Sequence, residues 1–226
     1  PCSVALKEKV ACYFPNGEFR DPFGQTEMSP VTTCLNPEDS IRKNMSVGKP
    51  VVNVEVRVVD EQMNDVPLGE IGEIVYRGPT LMKEYYKNPE ATEEAFRGGW
   101  FHSGDLVRMD DEGFIYVVDR KKDMIISGGE NIYPAEIEQV LMKHSAIQEC
   151  AVIGIPDHKW GESVKAVIVK KSGAELSEGE VVHFCQNHLA SYKKPKVVEF
   201  IDALPRNAAG KILKKALRQA DETMKS

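Results

Sequence analysis

Four polar, glycine-containing segments interrupt an otherwise apolar sequence, and each holds side chains able to do chemistry. The first, Phe23-Gly24-Gln25-Thr26-Glu27, combines an aromatic face, a glycine whose missing Cβ lets backbone approach a ligand, two hydrogen-bonding side chains and a carboxylate. That set suits a nucleotide with a bound metal. The second, GWFHSGD (Gly99 to Asp105), ends in a carboxylate able to accept two hydrogen bonds from a ribose diol. The third runs from Asp119 to Pro134, with a charged turn before an apolar strand and a Gly-Gly turn before a helix. The fourth, PRNAAGK (Pro205 to Lys211), is a loop presenting a lysine. Singly each is ordinary, since turns are rich in such residues, paired glycines mark tight turns and a lone lysine is usually a solvated charge.

Familiar alternatives are missing. Gly210-Lys211 does not close a G-x-x-x-x-G-K-[ST] loop, because Pro205 stands at the first glycine and Ile212 at the hydroxyl position. There is no G-x-G-x-x-G, H-E-x-x-H or paired C-x-x-C, so hydride transfer on a dinucleotide fold and zinc hydrolysis lose their usual support. Five cysteines (Cys2, Cys12, Cys34, Cys150, Cys185) at wide, irregular gaps fit neither a disulfide framework nor a metal site. Buried free thiols in a reducing, cytoplasmic compartment are expected.

The elements that must hold these segments read in two parts. Residues 1–121 carry 14 basic and 21 acidic side chains, net −7, and residues 122–226 carry 15 and 14, net +1. In the first part Val52, Val54, Val56 and Val58 alternate with polar residues, predicting a half-buried strand. A turn at Pro67-Leu68-Gly69 leads to a strand over 73–77. Asn88-Pro89-Glu90 caps a short helix towards Phe96, and Asp110-Asp111-Glu112-Gly113 joins a hairpin between 106–109 and 114–118. In the second part Pro134 opens a helix with Ile137, Val140, Leu141 and His144 on one face, and 150–155 and 164–169 are strands. Ser177-Glu178-Gly179-Glu180 is a capping box, 197–201 a third strand and 212–219 a terminal helix. Five consecutive charges, Asp119 to Asp123, predict a solvated turn or a hinge between the parts. The expected fold is α+β: a small antiparallel sheet or barrel over 1–121, then a compact α+β domain over 122–226.

Composition narrows the function classes. With 42% hydrophobic and 28% charged residues the 226-residue chain folds, and net −6 argues against a general nucleic-acid binder. No apolar run approaches the ~18 residues of a membrane span. The opening Pro1-Cys2-Ser3-Val4 shows no basic stretch ahead of an apolar one, so no secretory signal is expected.

In this order and combination the four segments resemble the adenylate-forming superfamily of acyl-CoA synthetases, luciferases and peptide-synthetase adenylation domains. The resemblance runs from Phe23 to Leu217. It is strongest to bacterial fatty-acyl-CoA ligases, through FGQTEMSP, GWFHSGDLVRMDDEGFIYVVDRKKDMIISGGENIYPAEIE and VIGIPDHKWGE. Phe23 stands where the family often has Tyr, and His102-Ser103 where Thr commonly precedes Gly-Asp. The resemblance implies activation of a carboxylic acid by ATP to an acyl-adenylate, then transfer to CoA with release of AMP. Phe23 would lie against adenine, and Gly24, Gln25 and Thr26 near the nucleotide, with Thr26 on the α-phosphate. Glu27 would hold magnesium, and Asp105 would bind the ribose with help from Arg120. Lys211 would be the adenylation lysine, Lys122 the hinge on which the small domain turns, and Gly129 the glycine beside which the pantetheine arm of CoA passes. Lys193-Lys194-Pro195-Lys196 and Lys214-Lys215 would be either a solvated face or an attraction for CoA phosphates.

The family's Ser/Thr/Gly-rich phosphate loop has no counterpart in this sequence. The resemblance therefore implies the C-terminal part of a ligase, inactive in isolation. A medium- or long-chain fatty acid is the expected substrate. Two alternatives stand beside it: an aryl-CoA ligase, and a non-catalytic nucleotide- or CoA-binding module.

Overall fold

The computed structural model describes residues 4–225, with side chains over 6–221; Cys2 lies outside the described residues. The chain divides into two compact units, Pro1–Lys121 and Lys122–Ser226.

The first unit begins with helix α1 (Val4–Tyr13) and a small antiparallel sheet of β1 (Asp21–Gly24), β2 (Val31–Leu35) and β3 (Lys49–Pro50) in sequence order. A second antiparallel sheet follows, β4 (Glu55–Val59), β5 (Ile71–Arg77), β6 (Phe101–Met109) and β7 (Ile115–Arg120), with helix α2 (Pro89–Ala95) between β5 and β6. The sheets stay open, so of sheet or barrel the outcome is sheet. Val54, Val58, Ile74, Tyr76, Phe101 and Ile115 form the core together with Met28 from the loop after β1.

Local chemistry explains most of these elements. Asn88 accepts the Ala91 N–H at 3.2 Å with Pro89 in the first helical turn, so α2 starts there and ends at Phe96. Gly113 (φ +80°) and the Asp110 carboxylate, which accepts the Phe114 N–H at 2.8 Å, close the β6–β7 turn. Two readings need correction. The valine alternation predicts a strand from Val52, yet Val52 is exposed and Asn53 turns at φ +68°, so β4 begins at Glu55. Asn tolerates the left-handed region and ends the alternation early. The charged run is also not all turn: Asp119 and Arg120 finish β7, because Arg120 pairs in register with Asp105, and only Lys121–Asp123 turns.

The second unit is a mixed sheet in the order β10–β11–β8–β9, made of β8 (Ile125–Ser127), β9 (Glu130–Ile132), β10 (Ile147–Asp157) and β11 (Gly161–Lys170). Strand β12 (Val197–Phe200) pairs parallel to β11. Period-2 alternation serves both faces. Cys150, Val152, Val164, Ala166 and Ile168 pack under α3 (Pro134–Leu141) and α4 (Glu178–Gln186) through Ile137, Leu141, Val181 and Cys185. Ala151, Val167 and Val169 pack with Leu204 and with Leu217 of α5 (Lys214–Lys225). The capping box at α4 forms in full, and α5 starts two residues later than the apolar pattern suggests because Ile212 bridges to Arg206. Buried Lys165 ties α5 to the sheet, its Nζ 2.7 Å from both Asp221 and Glu199.

Cys150 and Cys185 are buried, and burial pushes their thiols up to about 12 and about 11. Cys34 is half-buried, but Cys12 is exposed on α1, contrary to the expectation of buried thiols throughout. Among the described residues no helix is long and apolar enough to cross a membrane.

Candidate active site

The FGQTE segment is a strand end folded into a tight turn. Phe23 sits in β1 opposite Thr33, half-buried against the core. The β1–β2 register breaks between Phe23 and Gly24, and there the chain comes back on itself: a Cβ at Gly24 would overlap the Pro30 carbonyl oxygen. The glycine is therefore required by the protein's own backbone, a different reason from the close ligand approach expected of it. Thr26–Met28 forms one 3-10 turn, with Thr26 exposed and Met28 fully buried as its anchor. The Met82 N–H donates to the Glu27 carbonyl at 2.7 Å.

Glu27 is half-buried, and the Tyr85 hydroxyl donates to its Oε1 at 2.9 Å. Burial first, then that carboxylate, pushes the Tyr85 phenol up to about 12, so it stays a donor at neutral pH. The second carboxylate oxygen accepts no hydrogen bond among the described residues, and no group of three or more His, Cys, Asp or Glu gathers to cage an ion. One oriented carboxylate with a spare oxygen fits magnesium, which is commonly held by one or two carboxylates, water and substrate phosphates. Beside it the Gln25 amide nitrogen is buried without an acceptor, a donor whose lost hydration costs about 1–3 kcal/mol until something accepts from it.

Asp105 is brought to the same part of the unit by the sheet. The β5–β6 ladder bulges at Glu73–Val75, and Gly104 there takes φ +71°. Bulges re-aim a side chain, and this one is well secured. Ser103 Oγ donates to the Ile74 carbonyl at 2.6 Å and accepts the Asp105 N–H at 3.0 Å, while Gly104 N–H donates to Glu73 Oε1 at 3.1 Å. Arg120 Nε lies 3.5 Å from Asp105 Oδ1, so these two expected ribose residues do meet. Tyr76, next along β5, reaches the FGQTE segment: its hydroxyl is 3.4 Å from that of Thr32, which itself donates to the Phe23 carbonyl at 3.1 Å. Burial foremost, with the Asp105 charge adding, raises the Tyr76 phenol far above its usual range. Below Asp105, buried Glu73 takes Lys121 Nζ at 3.1 Å and lies 3.1 Å from His102 Nδ1. Burial pushes the Glu73 carboxyl up, but hydrogen bonds from His102 and Lys121 outweigh it and hold it below the usual carboxylate range.

The second unit holds Lys122, Gly129 and Lys211. Lys122 is exposed in the 3-10 turn Lys121–Asp123. Gly129 (φ +87°) stands at the tip of the β8–β9 hairpin, and a Cβ there would meet nothing within 4 Å. That hairpin is fixed by Gly128 N–H donating to the Trp160 carbonyl at 2.8 Å and by Ser127 pairing with Gly161. Lys211 is exposed in a loop organised by Asn207, whose Oδ1 accepts the N–H groups of Ala209 and Lys211 at 3.0 and 2.9 Å. Arg206 ties this loop to Glu149 near the start of β10, Nη2 to Oε1 2.7 Å. Gly129 and Lys211 are thus fastened to opposite ends of the β10–β11 hairpin. Glu149 and Asp157 are eight residues apart on one strand, roughly 26 Å at about 3.3 Å per residue. The lysine-rich stretches mostly pair internally: Lys193 with Glu136, Lys196 with Asp157 and Lys214 with Glu138.

Tyr85, Glu73 and Arg206 are the residues that sequence reasoning missed. The one sequence hint was Asn207, a residue type whose carboxamide favours turns of this kind.

Comparison with known proteins fits this geometry. A family model described as AMP-binding enzyme matches residues 1–86, and one described as AMP-binding enzyme C-terminal domain matches 136–211. A long-chain-fatty-acid–CoA ligase of Salmonella typhimurium is 45% identical over 87% of this chain and 35% of its own. A feruloyl-CoA synthase of Amycolatopsis is 47% identical over 89% of this chain and 41% of its own. The chain thus spans well under half the length of these curated relatives. The solved structure of o-succinylbenzoate CoA synthetase from Bacillus subtilis with its acyl-adenylate intermediate superposes with TM-score 0.85 at 40% identity, over 96% of this chain and 44% of that one. The same synthetase is also known with ATP and a magnesium ion, TM-score 0.83 at 39% identity, over the same shares of the two chains. Matched in order by both models and by folded relatives at this identity, the chain belongs to the AMP-binding, adenylate-forming enzymes.

Proposed function

We propose that this chain is the C-terminal portion of a cytoplasmic AMP-forming acid–CoA ligase, comprising the end of the large AMP-binding domain (1–121) and the mobile small domain (122–226). In the first half-reaction a carboxylate oxygen attacks the α-phosphorus of ATP as the bond to pyrophosphate breaks. In the second, the CoA thiolate attacks the acyl carbonyl and AMP leaves. Phe23 supplies a face for adenine, Gly24 shapes the turn, Gln25 and Thr26 donate to the nucleotide, and Asp105 with Arg120 holds the ribose. Glu27 would hold magnesium, which when bound would screen the phosphate oxygens. Lys211 stabilises negative charge as it passes between acid and phosphate, an effect concentrated in the transition state.

The observation that carries this reading is the separation of Lys211 from Gly129 along β10–β11. Two groups fastened so far apart on one strand pair would not both reach one reacting centre at the same moment. Turning the small domain about Lys122 between half-reactions lets each serve in turn. The unpaired thiols fit a reducing cytoplasm.

The substrate we infer is a medium- or long-chain fatty acid, supported by the fatty-acid ligase relative. The feruloyl-CoA synthase relative supports a second reading, an aromatic acid. A panel of aliphatic and ring acids, read as AMP release by the full-length protein, should give the highest kcat/KM with aliphatic chains; selectivity for ring acids would overturn that choice. A purely nucleotide-binding module would need neither Lys211 nor Glu27, and binding of AMP and CoA without AMP-forming turnover would favour it.

Tyr85 gives a test of the metal reading. Tyr85→Phe removes the donor that orients Glu27 and should raise the magnesium concentration for half-maximal ATP binding, by calorimetry, about 3- to 10-fold. A magnesium titration indistinguishable from that of the unsubstituted protein would exclude Glu27 as the ligand that Tyr85 sets.

A further inference from the structure

The peptide between Gly210 and Lys211 is gripped at both ends. Its N–H, on Lys211, donates to Asn207 Oδ1 at 2.9 Å. Its carbonyl, on Gly210, accepts Arg206 Nη1 at 2.6 Å. The next carbonyl, on Lys211, accepts the Asn207 N–H at 2.9 Å. The backbone atoms flanking the lysine side chain are therefore fixed, although the residue itself is exposed and Gly210 has φ +80°. The second arm of the same guanidinium, Nη2, reaches Glu149 Oε1 at 2.7 Å. A local loop conformation is thereby fastened to the first half of β10, in the sheet.

We infer that Arg206, held by Glu149, is a positioning residue for Lys211: it sets where the ammonium stands when adenylate forms. Three features support a positioning role. The pair is substantially exposed, with 40% and 36% of the two side chains accessible, and ion pairs in such places contribute little to stability. The geometry also requires a planar fork, because two acceptors on separate elements are bridged by one group, which a lysine's point charge cannot reproduce. Finally, Glu149 offsets the charge of Arg206, which would otherwise add to the positive field around Lys211.

This inference rests on the reading of Lys211 as the adenylation lysine, and the test separates the two. Arg206→Ala, Arg206→Lys and Lys211→Ala are compared in the full-length protein in each half-reaction. These are acyl-adenylate formation from ATP and acid, and thioester formation from supplied acyl-adenylate and CoA. Displacing a catalytic group by about 1 Å can cost on the order of 100-fold. Arg206→Ala should therefore slow adenylation by about 10- to 100-fold, Arg206→Lys by about 3- to 10-fold, and both should leave thioester formation within about 2-fold. In a Lys211→Ala background Arg206→Ala should add no further loss, since the two act through one group. If Lys211→Ala is slow in adenylation but Arg206→Ala and Arg206→Lys are not, the inference falls. Equal losses in both half-reactions, or additive losses in the double variant, would reduce Arg206 to a structural residue and also overturn it. If Lys211→Ala itself adenylates normally, the underlying reading falls instead. Should Arg206→Ala not fold, Arg206→Lys, which keeps the charge and one hydrogen bond, decides.

Discussion

Lys211→Ala in the full-length protein should slow acyl-adenylate formation by about 10²- to 10³-fold, the usual cost of losing one donor to charge that develops in a transition state. Thioester formation from supplied acyl-adenylate should stay within about 2-fold of normal. The reason lies in the second unit's geometry: Lys211 is fastened near Glu149, while the Gly128-Gly129 turn is fastened near Trp160, at the other end of the same strand pair. If, as proposed, Lys211 serves only the first step, it can be removed without touching the surface proposed to serve the second. Rapid-quench measurement of each half-reaction checks this. Comparable loss in both would mean that Lys211 serves a site common to the two, and the alternating account would fail with it.

The second large effect is on folding. Gly24→Ala places a Cβ against the Pro30 carbonyl oxygen and within contact of the Thr32 amide, both backbone atoms that no rotamer change can clear. Overpacking of this kind costs about 3 kcal/mol. In the same region Phe23 and Met28 must hold their places in the core. The expected result is a loss of about that size in the free energy of unfolding, together with loss of AMP binding. Gly69→Ala is the control: Gly69 has φ +87°, but a Cβ there meets nothing within 4 Å, so only left-handed strain of about 1–2 kcal/mol is added. Denaturant titration of both variants checks the difference, and equal destabilisation would mean that the return of the chain at Pro30 is not what requires glycine at position 24.

What could be read without coordinates was what depends on near neighbours in the chain. Asn88 and Ser177 announce their helices because the groups they cap lie three residues on. Gly113 and Asp110 announce a turn for the same reason. Readings failed where a distant partner decides. Arg120 belongs to a strand because Asp105 lies opposite it, and charge content alone argued for a turn. Helix α1 carries no apolar stripe and gave no signal, and the three-residue β9 is shorter than any periodicity can reveal. The candidate site divides in the same way. Phe23, Glu27, Asp105 and Lys211 stand out through the order of their motifs, whereas Tyr85 reaches Glu27 across 58 positions and Arg206 reaches Glu149 across 57. No local pattern encodes such pairs; strand register and loop closure create them.

The origin of the constraint on Gly24 has an evolutionary consequence. Because its own carbonyl neighbour at Pro30 demands the bare backbone, selection for folding alone preserves that glycine. On the roles proposed above for Thr26 and Glu27, a descendant that had abandoned catalysis would keep the glycine, while those two side chains, on which the core does not depend, would drift. Retention of the glycine in a remote homologue thus attests to ancestry of shape, and under the proposed metal role the carboxylate three positions on would be the better witness to living chemistry.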